Sequence, residues 1–515
     1  MRHWVTLAAL IAGALLPSAA SGAALVPLAP SSAWLSTPIH TTAPPSDPRL
    51  FVVERGGGVR IFENNVLHPT PFLTVPNVDT SGERGLLSIA FAPDYPSSGL
   101  LYVFTVAKAA GEFGAEPGEL QVIEYRRSST DPDLADPSSA RLVVGIPHST
   151  GNHYGGQLAF GPDGLLYVTV GDNKSSANAQ SLANLLGKVL RIDPQPESGI
   201  GYEVPPSNPF VGVVGAKEEI FASGLRNPFR ASFAPSGALI VADVGEKSWE
   251  EVNAGIPPGA NLGWPICEGA CSPANPELTD PFFQYANAET PLETTGCAIV
   301  GGYVVRDLTL TGLTGRYLYG DFCRSELRTI DLTAAGGDPR SVGLALPEGD
   351  SLLGFGEDSG CGVYVLTTET AYRIATDASA PPSGPAPACA IVDPGGRDTQ
   401  KQLRLRVRAA RHQKLRGDIK VVATCSESCA LRARGALFFF RRGAKAGSAM
   451  LAPASRSAQA GAPTRFRLAI LKVKVRRRAK QALKEGRKVA ARVTVTATDD
   501  AGNKVSRVAL VELTR

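Results

Sequence analysis

The stretch HYGGQLAFGPDGLLYVTVGD, residues 153–172, carries most of the information about architecture. It places His153 before two glycines, and then two runs of strand-forming residues separated by the sequence Pro-Asp-Gly at 162–164. Aromatic and β-branched residues on both sides of such a turn are typical of a β-hairpin. The two glycines let the backbone after His153 approach a ligand closely or adopt positive φ. The stretch therefore predicts a strand–turn–strand unit with a candidate base beside it.

This hairpin pattern recurs along the chain. Related segments read IAFAPD at 89–94, LAFGPDG at 158–164, SFAPSG at 232–237 and GFGEDSG at 354–360. Their aromatic residues lie 69, 73 and 122 positions apart, and the last interval corresponds to two units of about 61. A fixed period of this order with four strands per unit is typical of β-propeller blades. With further strands in 50–62 and 315–332, the sequence predicts an all-β fold with a six-bladed β-propeller.

The distribution of charge divides the 515 residues into two parts. Residues 396–515 contain 30 lysines and arginines and 7 acidic residues, a net charge of +23, whereas the rest of the chain carries −19. Such a break marks a domain boundary, and the Pro-rich sequence that begins at Ala378 suits a linker. The alternating strands after it resemble a small immunoglobulin-like or fibronectin-like β-sandwich. We expect a signal peptide (1–23), a propeller (24–377), a linker (378–396) and a basic sandwich (397–515).

The first 23 residues and the cysteines indicate an exported protein. Arg2 and His3 precede an apolar run over 4–16 and then small residues, which is typical of a secretory signal peptide. The run is too short for a transmembrane helix, and no later segment is long enough. Eight cysteines in an exported chain are most simply explained by disulfides, with Cys267–Cys271 and Cys425–Cys429 as local pairs and the other pairings open. We expect a secreted protein, extracellular or associated with the cell envelope.

The basic C-terminal part raises the possibility of a polyanionic partner. Lysine and arginine neutralise phosphates and so bind nucleic acid without specificity. The basic stretches, however, lack the interleaved aromatic residues that stack on bases, and the chain is expected to be exported. We therefore expect no nucleic acid as a partner, and instead an anionic polymer of the cell envelope or an anionic membrane surface.

Eight segments between Leu50 and Ile374 together resemble a known family. They read ERGLLSIAFAPDY, HYGGQLAFGPDGLLYVTVGD, LLGKVLRIDP, GLRNPFRASF, VADVGEKSWEEVN, NLGWPICEG, GGYVVRD and GRYLYGDFC. Their order is similar to that in the glucose/sorbosone dehydrogenase-like family. This family includes soluble aldose sugar dehydrogenases that use pyrroloquinoline quinone (PQQ), and binding proteins of the hedgehog-interacting type.

The resemblance implies a mechanism and a set of site residues. PQQ and calcium bind the top face of the propeller, and a histidine takes a proton from the sugar C1 hydroxyl while hydride passes to the quinone. A neutral imidazole suits this role because its pKa lies near neutral pH. His153 matches that histidine, and Arg226-Asn227 match a pair that contacts cofactor and substrate. The predicted residues are His153 and Arg226 for catalysis, Arg226, Asn227 and Arg324 for the cofactor, and Glu83 and Gln157 for the sugar.

Each of these assignments has a structural alternative. His153 can be a loop residue without a chemical role. Arg226 can form an ion pair with Glu218 or Glu219, and Glu83 can pair with Arg84. For calcium, the candidate ligands are carboxylates beside glycines at strand ends, although aspartate in such turns commonly caps the backbone instead. These candidates are Asp172, Asp243 and Asp321.

Two departures from the quinone-binding pattern concern positive charge. Cys323 stands where those members carry a lysine, with Arg324 as the neighbouring substitute, and GDSLLGFGED at 349–358 contains no basic residue where they carry two arginines. Burying a polyanion without cations costs several kcal/mol. The leading hypothesis is a PQQ-dependent oxidoreductase that oxidises an aldose. The alternative is a non-catalytic carbohydrate- or protein-binding propeller that has lost the cofactor clamp.

Overall fold

The computed structural model describes the chain in two compact units. Unit 1 comprises Met1–Glu203 and Gly212–Ala390, and unit 2 comprises Val204–Val211 and Ile391–Arg515. The described residues of unit 1 are 23–28, 35–64, 66–195, 201–287 and 296–376, with 204–211 assigned to unit 2. Those of the C-terminal part are 405–408, 412–414, 419–425, 429–441, 444–451, 454–458, 464–468, 473–485, 489–499 and 504–514. The signal peptide predicted at 1–23, apart from its last residue, and the linker predicted at 378–396 lie outside these ranges.

Unit 1 consists almost entirely of short strands. The first are β1 (Ala24–Pro27), β2 (Pro38–Thr42), β3 (Leu50–Glu54), β4 (Gly58–Glu63), β5 (Val66–Leu67), β6 (Leu73–Thr74), β7 (Leu86–Phe91), β8 (Leu100–Val106), β9 (Leu120–Arg127) and β10 (Ala135–Ile146). Next come β11 (Gly155–Phe160), β12 (Leu166–Val170), β13 (Lys188–Ile192), β14 (Ile220–Ser223), β15 (Pro228–Phe233), β16 (Leu239–Asp243), β17 (Trp249–Ala254) and β18 (Phe283–Ala286). The last are β19 (Ile299–Val304), β20 (Tyr317–Asp321), β21 (Glu326–Ile330), β22 (Arg340–Ala345), β23 (Leu352–Glu357), β24 (Val363–Thr367) and β25 (Ala371–Ala375). Helical turns occur at α1 (Tyr95–Ser98), Glu112–Gly114 and α2 (Ser176–Gln180).

These strands form consecutive antiparallel sheets arranged in a ring. Strands β7–β10, β11–β14, β15–β18 and β19–β22 each form a four-stranded sheet. The beginning and end of unit 1 share a nine-stranded sheet, in which β2 pairs in parallel with β23 through Thr41 and Gly356. The inner strands β2, β7, β11, β15, β19 and β23 contact one another in this order, and the β2–β23 pair closes the ring.

The hairpins predicted from the repeated segments are present in unit 1. Strands β11 and β12 pair from Gly155 opposite Val170 to Phe160 opposite Leu166. Gly164 closes the turn with φ of 76°, where its N–H donates to Gly161 O at 2.8 Å. Every residue of β12 is buried, which explains its uninterrupted apolar and β-branched sequence.

Unit 2 contains two further sheets and one helix. Its strands are β26 (Leu405–Arg408), β27 (His412–Lys414), β28 (Ile419–Cys425), β29 (Cys429–Arg441), β30 (Ala444–Met450), β31 (Ala454–Ala458), β32 (Thr464–Leu468), β33 (Val489–Asp499) and β34 (Lys504–Thr514). Strands β26, β28 and β32 form a three-stranded sheet, and the others form a six-stranded sheet. Its helix is α3 (Val473–Lys484).

The all-β fold expected from the sequence is confirmed. The first and last groups of strands share one sheet, so the number of blades depends on how that sheet is divided, and the predicted count of six stays a prediction. The domain boundaries and the immunoglobulin-like class of the basic part also stay predictions. The Cys267–Cys271 disulfide is present, and Cys297 pairs with Cys323. The side chains of Cys425 and Cys429 lie outside the described part.

Candidate functional site

The backbone of His153 is held in an unusual conformation at the start of β11. Its φ is 63°, a region that non-glycine residues rarely adopt. The N–H of His153 donates to Glu83 Oε2 at 2.8 Å, and its carbonyl lies 3.0 Å from His148 Nε2. A Cβ on Gly171 would lie 2.0 Å from that carbonyl oxygen, so only glycine fits there. Contacts from both sides of the loop therefore fix the position of this histidine.

The imidazole of His153 is oriented by a carboxylate. Its Nδ1 lies 2.7 Å from Asp172 Oδ1, and Asp172 Oδ2 accepts a hydrogen bond from Trp264 Nε1 at 2.9 Å. Among the described residues, Nε2 of His153 has no hydrogen-bond partner. A proton held on Nδ1 by the carboxylate leaves the lone pair on Nε2, which is the tautomer that a general base requires. The arrangement can take a proton from a hydroxyl group placed at Nε2.

Glu83 contacts protein groups rather than facing an open space. Its Oε1 accepts a hydrogen bond from Asn152 Nδ2 at 2.8 Å, and its Oε2 accepts one from Asn227 Nδ2 at 3.3 Å in addition to that from His153 N. The alternative ion pair is absent from the described contacts, because Arg84 pairs with Asp79 at 3.3 Å. Glu83 therefore joins the His153 loop to the Arg226-Asn227 segment.

Arg226 and Asn227 lie beside the His153–Asp172 pair. Their backbone N–H groups both donate to Asp243, at 2.9 and 2.7 Å, and Arg226 O accepts a hydrogen bond from the N–H of Asp172 at 2.8 Å. The Arg226 guanidinium lies 5.7 Å from the Trp264 ring centroid and donates through Nη1 to Val244 O at 3.1 Å. Arg226 makes no ion pair with a described carboxylate, and its buried Nε has no hydrogen-bond partner in the described part of the chain. It therefore retains donors for an anionic group.

Buried titratable groups surround this cluster. Burial raises the pKa of Asp243, and the charge of Asp172 raises it further, while the N–H donors of Arg226 and Asn227 lower it. Burial likewise raises the pKa of Glu251, with Asp243 as the second cause. Burial lowers the pKa of Lys188 to about 7, while the charge of Asp172 opposes this shift. The pKa values of Asp243, Glu251 and Lys188 are therefore all shifted toward neutral pH.

Gln157 lies in a separate buried cluster on the inner strands. Its Nε2 is 3.2 Å from His40 Nε2 and donates to Leu158 O at 2.9 Å, and its Oε1 is 3.4 Å from Arg230 Nη1. Gln157 is 3% exposed and Arg230 is 3% exposed. The role of Gln157 in sugar binding stays a prediction.

The Asp321 carboxylate lies next to a disulfide and accepts hydrogen bonds from a third group of residues. Tyr285 Oη donates to its Oδ2 at 2.7 Å, and the N–H groups of Cys297 and Cys323 donate to its carboxylate at 3.0–3.1 Å and 2.9 Å. The Cys297–Cys323 bond removes both thiols as metal ligands, although they lie close to this carboxylate. Arg324, the predicted cofactor contact, lies near Tyr319: burial raises the pKa of this tyrosine, and the charge of Arg324 opposes that shift.

Two residues of the site were not foreseen as such. Trp264 lies within the segment NLGWPICEG and binds Asp172. Lys188 lies within LLGKVLRIDP, is fully buried, and donates to the carbonyls of Asn178, Ala179 and Leu186 at 2.6–3.0 Å. Asp172 was expected as a metal ligand, yet both of its oxygens bind the side chains described above. The metal roles of Asp172, Asp243 and Asp321 stay predictions.

The curated proteins that this chain resembles include both enzymes and a binding protein. Hedgehog-interacting protein of Mus musculus is 30% identical over 342 residues, 62% of this chain and 47% of that protein. Aldose sugar dehydrogenase YliI of Escherichia coli is 33% identical over 43% of this chain and 57% of that protein. Quinoprotein glucose dehydrogenase B of Acinetobacter calcoaceticus is 29% identical over 43% and 49%. The chain spans about half the length of these relatives.

A solved structure and a family model agree with these relatives. The putative oxidoreductase (glucose dehydrogenase) of Thermus thermophilus aligns with a TM-score of 0.56 and 27% identity, covering 68% of this chain and all of that one. Within the described part, no helix is both long and apolar enough to cross a membrane. The model of the glucose/sorbosone dehydrogenase family matches residues 35–347. This chain therefore belongs to the glucose/sorbosone dehydrogenase family.

Proposed function

We propose that the protein oxidises an aldose-type sugar at its anomeric carbon, with PQQ as the electron acceptor. The observation that carries this proposal is the His153–Asp172 pair, in which Nε2 of the imidazole has no hydrogen-bond partner among the described residues and the backbone of Arg226 binds Asp172. A base and a guanidinium that forms no ion pair with a described carboxylate are the groups needed to deprotonate a hydroxyl next to an anionic cofactor. The names of the E. coli and A. calcoaceticus relatives support the same chemistry.

The fit of PQQ to these residues is strongest at Arg226. The Arg226 side chain is half-buried and forms no ion pair with a described carboxylate, so its guanidinium would be available to a carboxylate of the cofactor. Bound PQQ supplies the hydride acceptor of the reaction. The protein orients the sugar hydroxyl toward His153 Nε2, which removes its proton, and Asp172 stabilises the imidazolium that forms. Trp264 holds the other oxygen of Asp172 and so keeps the carboxylate in place.

Calcium fits the described carboxylates less well. Ca²⁺ takes six to eight oxygen ligands, whereas the oxygens of Asp172, Asp243 and Asp321 already accept hydrogen bonds from N–H or O–H groups. A calcium ion near these residues would depend on backbone carbonyls for most of its ligands. The proposed proton transfer uses no step through the metal.

The second candidate function is binding without catalysis. Cys323, which replaces the clamp lysine of quinone-binding members, is locked in a disulfide with Cys297 and carries no charge. One curated relative is a Hedgehog-interacting protein, which by its name binds a protein. The same propeller face would then hold a carbohydrate or a protein, with Arg226 as an anchor.

We also propose that the protein is exported. The disulfides Cys267–Cys271 and Cys297–Cys323, together with the disulfide-bonded Cys361, favour an oxidising compartment. Mass spectrometry of the protein from its own culture medium or envelope fraction tests this, because removal of the signal predicted at 1–23 shortens the chain. A mature protein that retains Met1 inside the cell would contradict export.

The experiment that separates the two functions uses the purified full chain. PQQ and Ca²⁺ are added, excess quinone is removed by desalting, and dye reduction is followed with a panel of aldoses. The oxidoreductase predicts retained quinone absorbance, sugar-dependent reduction, and loss of that reduction in His153→Gln. His68→Gln is the matched control, because His68 is a partly exposed histidine that lies beside Glu63 and Asp133. If the protein retains no quinone and reduces no dye with any sugar, the result favours the binding function.

A further inference from the structure

The three-stranded sheet of unit 2 has two chemically distinct faces. In β28, Ile419, Val421 and Ala423 are 0–1% exposed, whereas Lys420 between them is exposed. Successive residues of a strand point to opposite faces, so the second face is defined by Lys420, Val422 and Thr424. Residues directly opposite one another on neighbouring antiparallel strands share a face. The register therefore assigns the partners of these three residues to the second face.

Those partners are almost all cationic. Lys420 lies opposite Arg467, and Thr424 lies opposite Arg406. Val422 lies between Arg408 on β26 and Arg465 on β32. The second face, hereafter the cationic face, thus contains Arg406, Arg408, Lys420, Arg465 and Arg467 together with Val422 and Thr424. It contains no acidic position.

This placement costs stability. Like charges at directly opposite positions of paired strands are destabilising, and Lys420 and Arg467 occupy such positions. Neighbouring strands lie about 4.8 Å apart and alternate residues of a strand about 7 Å apart, so the five cationic positions lie close together on one face of the sheet. A partner with several negative charges offsets that repulsion when it binds.

We propose that the cationic face binds a linear phosphodiester polymer that carries no bases. Four of the five cations are arginines, whose guanidinium groups bond two phosphate oxygens at once. The repeated spacing along β26 and β32 suits a chain with regularly repeated charges. This surface belongs to unit 2 and is independent of the sugar oxidation proposed for unit 1.

The composition of the face argues against two other polyanionic partners. Single-stranded nucleic acid binds on aromatic side chains that stack with bases, and the register assigns Phe466 to the other face, opposite buried Val421. An interfacial membrane site needs large apolar residues that enter the lipid, and the cationic face offers only Val422. The remaining attraction is to the charged backbone of the polymer.

The test measures binding of lipid-free poly(glycerol phosphate) to the full-length protein at several salt concentrations. In the test variant, Lys420→Gln and Arg467→Gln remove the facing pair. In the control variant, Arg432→Gln and Arg456→Gln remove two exposed charges on the other sheet of unit 2. The wild-type affinity should fall with salt, because bound polymer releases its counterions. The test variant should bind at least tenfold more weakly in low salt and lose about 1.4 from the log–log salt slope, roughly 0.7 for each contact, while the control changes less than threefold.

Other outcomes would overturn the assignment. These are equal losses in the two variants, the absence of polymer binding, tighter binding to single-stranded DNA of equal charge, and binding to anionic phosphatidylglycerol vesicles but not to free polymer. Folding is followed separately by thermal unfolding. Because the test substitutions remove a repulsive pair, the unfolding temperature should stay the same or rise.

Discussion

Glu83 Oε2 accepts the backbone N–H of His153 at 2.8 Å, although the two residues are 70 positions apart. The same carboxylate also receives the side-chain amides of Asn152 and Asn227. One carboxyl side chain thus ties the loop that contains His153 to the segment that contains Arg226. Three N–H donors bind this side chain, and each hydrogen bond to a charged acceptor contributes about 1.5–3 kcal/mol to stability.

Glu83→Gln should therefore impair catalysis without removing a substrate contact. The amide turns one acceptor oxygen into a donor that faces N–H groups, so the loop loses its anchor. We expect kcat for sugar-dependent dye reduction to fall about tenfold to a hundredfold, with KM changed less than threefold. Glu63→Gln, on the surface, is the control. A large rise in KM with unchanged kcat would instead identify Glu83 as the sugar ligand predicted from the sequence.

Asp172→Asn should abolish most of the activity while leaving the fold intact. The amide cannot accept a proton-donating Nδ1–H and also bind Trp264 in the same way, so His153 loses its required tautomer. Comparable substitutions in catalytic triads reduce kcat by as much as about ten-thousandfold, and we expect a decrease of at least a hundredfold here. Asp163→Asn, at the turn of the same hairpin, is the matched control and should keep near-normal rates. Full activity of Asp172→Asn would exclude His153 as the base.

The proximity of His153 and Asp172 was accessible from the sequence. The hairpin turn at 162–164 lies midway between them, and antiparallel pairing brings equidistant residues together, as Gly155 opposite Val170 shows. Asp172 was nevertheless interpreted as a metal ligand, because carboxylates beside glycines also occur in calcium loops. The periodic aromatic residues likewise predict four of the hairpins, since each hairpin is a local structure, whereas the strands in 50–62 and 315–332 are predicted from their own composition.

The contacts that form when the ring of sheets closes could not be predicted from the sequence. Arg230 reaches Ile39 and Leu87, which are 191 and 143 positions away, and no local pattern marks such partners. Lys188 was missed for a related reason, because it binds carbonyl groups that every residue has. Buried cations that are satisfied by the backbone leave no complementary charge in the sequence.

Lys188→Met should change how stability depends on pH. Burial lowers the pKa of Lys188 from 10.5 to about 7, so between these values the unfolded chain binds a proton that the folded chain does not. The unfolding free energy of the wild type should therefore rise with pH across this window, by at most about 5 kcal/mol, and the variant should lack that rise. Urea unfolding at pH 7 and pH 9.5 measures the difference. If the unfolding free energies of the two proteins depend on pH in the same way, the lowered pKa of Lys188 is contradicted.

Arg230→Met should destabilise the ring of inner strands. The guanidinium donates to Ile39 O at 2.6 Å and Leu87 O at 3.1 Å, and so joins β15 to β2 and β7. Methionine fills much of the volume but leaves two buried carbonyls without donors, each costing about 1–3 kcal/mol. We expect the unfolding free energy to fall by about 2–6 kcal/mol in denaturant titrations. Arg340→Gln, whose side chain is 64% exposed, should change it by less than about 0.5 kcal/mol, and an equal effect of both substitutions would mean that the buried bridge contributes nothing.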